Sequence, residues 1–216
     1  MANSPYQDTV LVMDFLNAVS PASILDVGAG FGRWGFLCRC HLGPGESLTA
    51  TPRQDLRIEA IEIFSRNINP VYDAVYDKVH KGDARVMLSA LGNYDVILCG
   101  HVIEHFEKDE AWRFISEMKS HAKIAVILAL PFNDGLREGV CGNPNEAHLS
   151  VWDEADFRGG ECYVKSFPFV REVRAGVVIM PLNDVASWKV RQMKSCLRRW
   201  FSKHCSWLAG WHRKFL

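Results

Sequence analysis

Three glycines spaced two residues apart follow a short apolar run in SILDVGAGFGRWGFL, residues 23–37. Glycine adopts backbone conformations with positive φ and lets another group approach the chain closely. A buried strand, a glycine turn and a helix N-terminus together form a cradle for a polar ligand, because the first N–H groups of a helix have no partner within it. The alternative is a tight strand-to-helix turn without a ligand. Gly28, Gly30 and Gly32, placed directly after Asp26, favour the cradle.

The spacing of these glycines differs from two common nucleotide-binding motifs. The dinucleotide fingerprint requires G-x-G-x-x-G, and a P-loop requires a following Gly-Lys-Ser/Thr, which is missing here. The chain has 216 residues, 48% of them hydrophobic, which suits one globular domain with a sizeable core. Its seven cysteines include no C-x-x-C pair, its first residues lack the apolar region of a signal peptide, and no apolar run is long enough to span a membrane. We therefore expect reduced thiols and a cytoplasmic protein.

Apolar runs that alternate with helical patterns predict an α/β fold. Helical spacing occurs at residues 7–18, 31–42 and 108–121. Strands alternating with helices favour a mostly parallel sheet, here of seven strands, with helices on both faces. Proline is expected to end the fifth strand at residue 130, and residues 132–148 are expected to form a long loop over a substrate. The predicted strands are residues 23–27, 56–63, 79–82, 94–99, 123–130, 162–167 and 176–181.

Polar residues follow each of the first four predicted strands, although the strand interiors are apolar. The carboxyl ends of parallel strands meet at one edge of the sheet, where ligands bind in open α/β folds. Core packing does not explain polar residues at four successive strand ends. These residues are Asp26 with its glycines, Glu62, Asp83, and the group His101, Glu104 and His105.

Four segments resemble, in order, the motifs of class I S-adenosylmethionine-dependent methyltransferases: ILDVGAGFGRWGF, IEAIEIF, KGDA and YDVILCGHVIEHF. The resemblance covers about residues 10–182 and implies a Rossmann-like methyltransferase fold with S-adenosylmethionine as its cofactor. It implies that Glu62 accepts the ribose hydroxyls, that Asp83 accepts from the adenine amino group, and that the N–H of Ala84 faces the ring. The remaining residues assigned to the cofactor are Asp26, Gly28, Ala29, Gly30, Gly32, Ile63 and Gly100.

Simpler roles remain open for several of these residues. From the residues alone, Glu62 is also consistent with a surface carboxylate, and Asp83 with the N-cap of a following helix. His105 next to Glu104, and His148 in NPNEAHLSVWDEADF, are the candidate bases for a hydroxyl acceptor, since histidine titrates near neutral pH. Alternatively, Glu104 and His105 organise a loop and His148 is a capping or core residue.

The predicted function is transfer of a methyl group to an oxygen of a small-molecule, sugar or glycan acceptor. A competing hypothesis uses His101, Glu104, His105 and His148 as ligands of a divalent transition metal. That layout resembles the small-RNA 2′-O-methyltransferases, whose fourth motif reads E-x-x-E-H, whereas this chain has H-x-x-E-H. We assign no metal ligand from the sequence, and the acidic body of the chain argues against long contact with nucleic acid. A third hypothesis is a non-catalytic cofactor-binding subunit that regulates a partner.

Charge is segregated along the chain, although the net charge is zero. No acidic residue follows Asp184, and residues 185–216 carry eight lysines and arginines, so we divide the chain into a methyltransferase domain, 1–184, and a basic helical tail, 185–216. Such an amphipathic helix either lies in an anionic membrane interface, at the inner membrane face, or packs on the domain or a second subunit. Its apolar arc consists of Val190, Met193, Leu197, Trp200, Phe201, Leu208 and Trp211.

Overall fold

A computed structural model of the chain describes residues 6–42, 55–139 and 142–204, with the side chains of 196–204 left out. Seven strands form one sheet in the order β3-β2-β1-β4-β5-β7-β6. Strands β1 to β5 are parallel, and β7 runs antiparallel between β5 and β6. This confirms the predicted mostly parallel sheet. The strands are β1 (Ser23–Val27), β2 (Arg57–Glu62), β3 (Lys78–Lys81), β4 (Tyr94–Gly100), β5 (Ala122–Phe132), β6 (Tyr163–Val170) and β7 (Val173–Pro181).

Helices cover both faces of this sheet. Alternate strand residues point to opposite faces, so Ile24 of β1 and Leu25 of β1 belong to two separate apolar cores. One core contains residues of α1, α2, α3 and α6, and the other contains residues of α4 and α5. The helices are α1 (Thr9–Val19), α2 (Arg33–His41), α3 (Val71–Val75), α4 (Ala84–Met87), α5 (Lys108–His121) and α6 (Asp184–His204).

The structure corrects the predicted end of β5. Pro131 does not stop the strand, which continues to Phe132 and pairs with β7 as far as Arg174. Strand β4 ends at Gly100, opposite Ala129, so Pro131 has a strand neighbour on one side only. A missing N–H is tolerated at such an edge position. The same extension carries the following loop past the end of β4 and toward the polar strand ends.

Helix α6 begins at Asp184 and packs against the domain. Val190 and Met193 are buried in the same core as α1, and Lys189 Nζ lies 2.9 Å from Asp14 Oδ2 of that helix. For these residues the structure shows the packing alternative, while Trp188 is 56% exposed. The rest of the predicted apolar arc, from Leu197 onward, lies outside the described side chains. No described helix combines the length and the apolar character needed to cross a membrane.

Candidate active site

The carboxyl ends of β1, β2, β3 and β4 open into a cavity of about 580 Å³. Eight of the ten residues that the sequence assigned to the cofactor line this cavity: Gly28, Ala29, Gly30, Glu62, Ile63, Asp83, Ala84 and Gly100. Asp26 and Gly32 lie outside its lining. Of the four candidate catalytic residues, His101 and His105 line the cavity, and Glu104 and His148 do not.

The glycine turn forms the floor of the cavity. Gly28, Gly30 and Gly32 all have positive φ, at 68°, 59° and 86°. A Cβ on Gly28 would lie 2.2 Å from Val102 Cγ2, so this position has no room for a side chain. A Cβ on Gly30 would meet nothing closer than the Gly28 carbonyl oxygen at 3.9 Å, so the turn is open there. The three glycines therefore shape a concave surface that a ligand can approach.

Asp26 supports the turn from beneath. Its Oδ2 accepts hydrogen bonds from the Gly35 N–H at 3.1 Å and from the Tyr76 hydroxyl at 2.6 Å. Burial raises the pKa of Asp26 to about 6, and the hydrogen bonds from Tyr76 and Gly35 oppose this shift. The carboxylate thus links Gly35, near the start of α2, to Tyr76, which directly follows α3. It stabilises the glycine turn but does not line the cavity.

Glu62 closes the cavity at the end of β2 and is already heavily hydrogen-bonded. Its Oε2 accepts from the Gly30 N–H at 2.7 Å. Its Oε1 accepts from the Phe64 N–H at 2.7 Å and from Asn67 Nδ2 at 3.3 Å. Burial raises the pKa of Glu62 despite these hydrogen bonds. The surface-carboxylate alternative therefore does not describe Glu62, which is a buried acceptor at the cavity wall.

Asp83 caps helix α4, as the N-cap alternative predicted. Its side chain accepts from the Arg85 N–H at 2.9 Å, and the Arg85 guanidinium also donates to it. The hydrogen bonds from Arg85 hold the pKa of Asp83 below its usual range. Two apolar side chains of the cavity lining are also partly exposed: Ile63 is 45% exposed and Phe31 is 46% exposed. These apolar surfaces suit a flat aromatic group.

The opposite wall begins with a strained residue. His101 has φ 56°, which is unusual outside glycine, and its Nδ1 lies 3.3 Å from Glu104 Oε1. Glu104 is 1% exposed, and apart from this close approach of His101 its carboxylate oxygens accept no hydrogen bond from the described residues. Burial would raise the pKa of Glu104, but His101 and His105 outweigh it, so that its pKa is lowered. Glu104 and His101 therefore form a close pair on this wall, with the carboxylate buried.

His105 presents one free nitrogen on this wall. Its Nδ1 lies 2.9 Å from the Ala147 carbonyl oxygen, which can only accept a hydrogen bond. In the neutral ring, Nδ1 therefore carries the proton and Nε2 is the acceptor. Because His105 lines the cavity, it combines access to a ligand with a fixed tautomer. This geometry is required of a general base.

His148 lies behind His105 with its ring centre 5.0 Å away, edge to face. It is 3% exposed, and its Nε2 accepts from Arg137 Nη2 at 2.6 Å. Burial lowers the pKa of His148, so the ring is neutral at pH 7. Its Nδ1 has no hydrogen-bond partner and lies 3.3 Å from Asp134 Oδ2. His148 is therefore a buried supporting residue, as its core alternative predicted.

Among the described residues, Glu104, His105 and His148 form a group that could hold a metal ion. One ligand atom from each lies within 4.8 Å of the others. The carboxylate of Glu104 is buried, as is the ring of His148. Imidazole and carboxylate together suit a divalent transition metal. His101, the fourth member of the predicted set, does not belong to this group.

Several residues of the cavity were not predicted from the sequence. Arg33 and Trp34 come from the start of α2, and Asn67 follows β2. Asn143, Asn145 and Glu146 come from the loop that was predicted to cover a substrate. The polar stretch NPNE in that loop was the one signal in the sequence. It could not show which strand ends these residues approach, because a loop position does not define tertiary contacts.

No protein-family model and no curated protein matches the sequence. Solved structures do match the fold. The N-terminal domain of EvdMO1, crystallised with SAH and D-fucose, is 18% identical with a TM-score of 0.57, covering 84% of this chain and 85% of that one. The magnesium protoporphyrin IX methyltransferase ChlM from Synechocystis PCC 6803, with bound SAM, is 17% identical with a TM-score of 0.54, covering 82% and 79%.

The methyltransferase domain of the bacterial protein CtHen1-CN is 15% identical with a TM-score of 0.54, covering 82% of this chain and all of that one. At such identities the likeness concerns the fold. The chain therefore has the Rossmann-like fold of the class I methyltransferases, as the sequence motifs predicted.

Proposed function

We propose that the protein is an S-adenosylmethionine-dependent methyltransferase that methylates a hydroxyl of a small-molecule or sugar acceptor. One observation carries this proposal: a single cavity is lined both by the glycine turn and by His105, whose Nδ1 donates to the Ala147 carbonyl oxygen so that Nε2 is the acceptor. The structural relatives support it, since ChlM binds SAM and EvdMO1 was crystallised with SAH and D-fucose.

The lining of the cavity fits this cofactor. The exposed apolar surfaces of Ile63 and Phe31 would pack on the adenine ring, next to the N–H of Ala84. Glu62 would accept from the ribose, and the open turn at Gly30 would receive the methionine part. When bound, S-adenosylmethionine supplies an electrophilic methyl group, so the protein has to orient the acceptor, exclude water and accept a proton.

His105 would accept that proton. During methyl transfer, Nε2 of His105 would accept the proton of the acceptor hydroxyl. The ring then carries a positive charge, which the buried carboxylate of Glu104 stabilises at close range. The Ala147 carbonyl oxygen keeps the proton on Nδ1, so that Nε2 is the nitrogen that accepts a proton.

Binding and transfer test this proposal separately. Isothermal titration with S-adenosylhomocysteine should show binding by the wild type and a large loss for Glu62→Ala. Transfer of labelled methyl from S-adenosylmethionine to hydroxyl compounds should fall about a hundredfold for His105→Asn, the usual contribution of a general base, with cofactor affinity kept. No binding by the folded wild type would refute the proposal. Binding without transfer to any acceptor would favour the regulatory subunit instead.

A second candidate function is metal-dependent methylation of a ribose hydroxyl in RNA. The grouping of Glu104, His105 and His148, with the Glu104 carboxylate buried, favours it, and the CtHen1-CN methyltransferase domain has the same fold. In this case His105 Nε2 binds the metal and is not a base. Cobalt(II) titration should then produce a visible absorption band that Glu104→Ala abolishes. Activity that is unchanged by EDTA would exclude this candidate.

A further inference from the structure

Glu146 lines the same cavity as the glycine turn and lies on the short 3-10 helix Pro144–Glu146. Three carboxylates line the cavity: Glu62, Asp83 and Glu146. Both oxygens of Asp83 are held by Arg85. Glu146 has one side-chain contact within the described residues, a long hydrogen bond of 3.4 Å from Asn143 Nδ2 to its Oε1. It is therefore the carboxylate of this cavity with the most free acceptor capacity.

Glu62 by itself has too few free acceptor positions for a diol. A carboxylate offers about four lone-pair positions. Three of those on Glu62 are used by the N–H groups of Gly30 and Phe64 and by Asn67, which leaves one position, on Oε2. A ribose presents two hydroxyl donors. One of them therefore needs an acceptor elsewhere in the cavity.

Glu146 and Glu62 are also close enough to interact electrostatically. The charge of Glu146 adds to the effect of burial in raising the pKa of Glu62. Two nearby carboxylates destabilise each other's charged form. Hydroxyl groups that donate a hydrogen bond to each carboxylate reduce this repulsion.

The segment that carries Glu146 is held in place. The N–H groups of Leu149 and Ser150 both donate to the Glu104 carbonyl oxygen, and the Ala147 carbonyl oxygen accepts from His105. The buried Asn143 side chain accepts from the Asn145 N–H and caps the short helix. Glu146 is thus positioned before any ligand arrives, which reduces the entropic cost of binding.

We propose that Glu146 is a second ribose ligand, which accepts one hydroxyl of the cofactor while Glu62 accepts the other. This inference rests on the proposed function, because it requires a ligand that carries a ribose diol. It assigns a binding role to the 142–147 segment, in addition to the role of that segment in positioning His105.

The test uses S-adenosylhomocysteine and its 2′-deoxy and 3′-deoxy analogues with the full chain. S-adenosylhomocysteine has no sulfonium charge, so a loss of affinity cannot come from lost attraction to a sulfonium. For Glu146→Ala, the dissociation constant of S-adenosylhomocysteine should rise about tenfold, as expected for a lost hydroxyl-to-carboxylate hydrogen bond. One of the deoxy analogues should bind wild type and variant equally, because it lacks the hydroxyl that Glu146 accepts.

Glu138→Ala is the matched control, since Glu138 is exposed in the same loop and its loss changes the net charge equally. Glu146→Gln, which keeps the size of the side chain, and melting curves show whether the fold is preserved. Wild-type affinity of Glu146→Ala for S-adenosylhomocysteine would overturn the inference, and so would an equal loss for all three ligands. If the wild type bound none of them, the proposed function itself would fail.

Discussion

The two walls of the cavity are built differently. On the first wall, which follows β1 to β3, backbone shape dominates, and Glu62 and Asp83 are hydrogen-bonded within a few residues or to the glycine turn. On the second wall, side chains dominate: His105 bonds to Ala147, 42 residues away, and the buried carboxylate of Glu104 lies beside His101. The first wall is thus held together by local contacts, and the second depends on contacts between residues far apart in the chain.

The largest expected effect concerns a close contact between the two walls, at Gly28. Gly28→Ala should lower the free energy of unfolding by more than about 3 kcal/mol, because its Cβ would lie 2.2 Å from Val102 Cγ2 and alanine is strained at positive φ. Urea unfolding and titration with S-adenosylhomocysteine measure the loss of stability and of binding.

Two variants separate the clash from the strain in that prediction. Val102→Ala in the Gly28→Ala background should restore part of the stability, since it removes the methyl group that collides. Gly92→Ala is the control, because nothing lies within 4 Å of its Cβ position. A Gly28→Ala variant as stable as Gly92→Ala would mean that the walls do not touch at Gly28.

A second prediction concerns the support of the first wall. The pKa of Asp26 is about 6 in the fold, against an ordinary value of 3.8, so between these pH values the folded state binds a proton that the unfolded chain does not. Its contribution therefore destabilises the fold by about 3 kcal/mol as pH rises from about 4 to 7. Urea unfolding should show that Asp26→Asn gains this amount relative to the wild type over that range. A stability difference independent of pH would show that Asp26 titrates normally.

A third prediction compares how much His148 and His105 of the second wall contribute to the stability of the fold. His148→Ala should lower the free energy of unfolding by about 2 kcal/mol, because the buried ring leaves a cavity and releases Arg137. His105→Ala should cost about 1 kcal/mol, since the half-buried ring loses one hydrogen bond to Ala147. Chemical unfolding of both variants gives the comparison, and the reverse order would exchange the supporting and cavity-facing roles.

The smallest expected effect on cofactor binding concerns the end of α6, which lies outside both walls. Both walls lie before residue 151, so removal of residues 196–216 should leave the affinity for S-adenosylhomocysteine unchanged. We propose that this segment binds anionic membranes, with about 1 kcal/mol from each basic residue near the surface. Pelleting with anionic vesicles at low salt should be lost on truncation and weakened by high salt. If the full-length and truncated proteins pelleted equally, the membrane proposal would fail, and the only supported role of α6 would be the packing of Val190 and Met193 on the domain.

The sequence predicted the first wall and the sheet because their signals are local. Positive φ at Gly28, Gly30 and Gly32 depends on neighbouring residues, and strand β1 and helix α5 were located to the residue. Parallel strands bring their carboxyl ends together in any fold of this class, so Glu62 and Asp83 could be placed at one edge without coordinates.

Only the tertiary structure decided which residues complete the second wall. Glu146 lines the same cavity as Glu62, and the ring of His148 contacts that of His105, because the loop after β5 folds back toward the end of β4. Such contacts join residues about 40 to 80 positions apart, and the closure of long loops depends on the packing of the whole domain more than on local preference. For the same physical reason, the tertiary packing of α6 on α1 buried Val190 and Met193, while the amphipathic pattern by itself is equally consistent with a membrane surface.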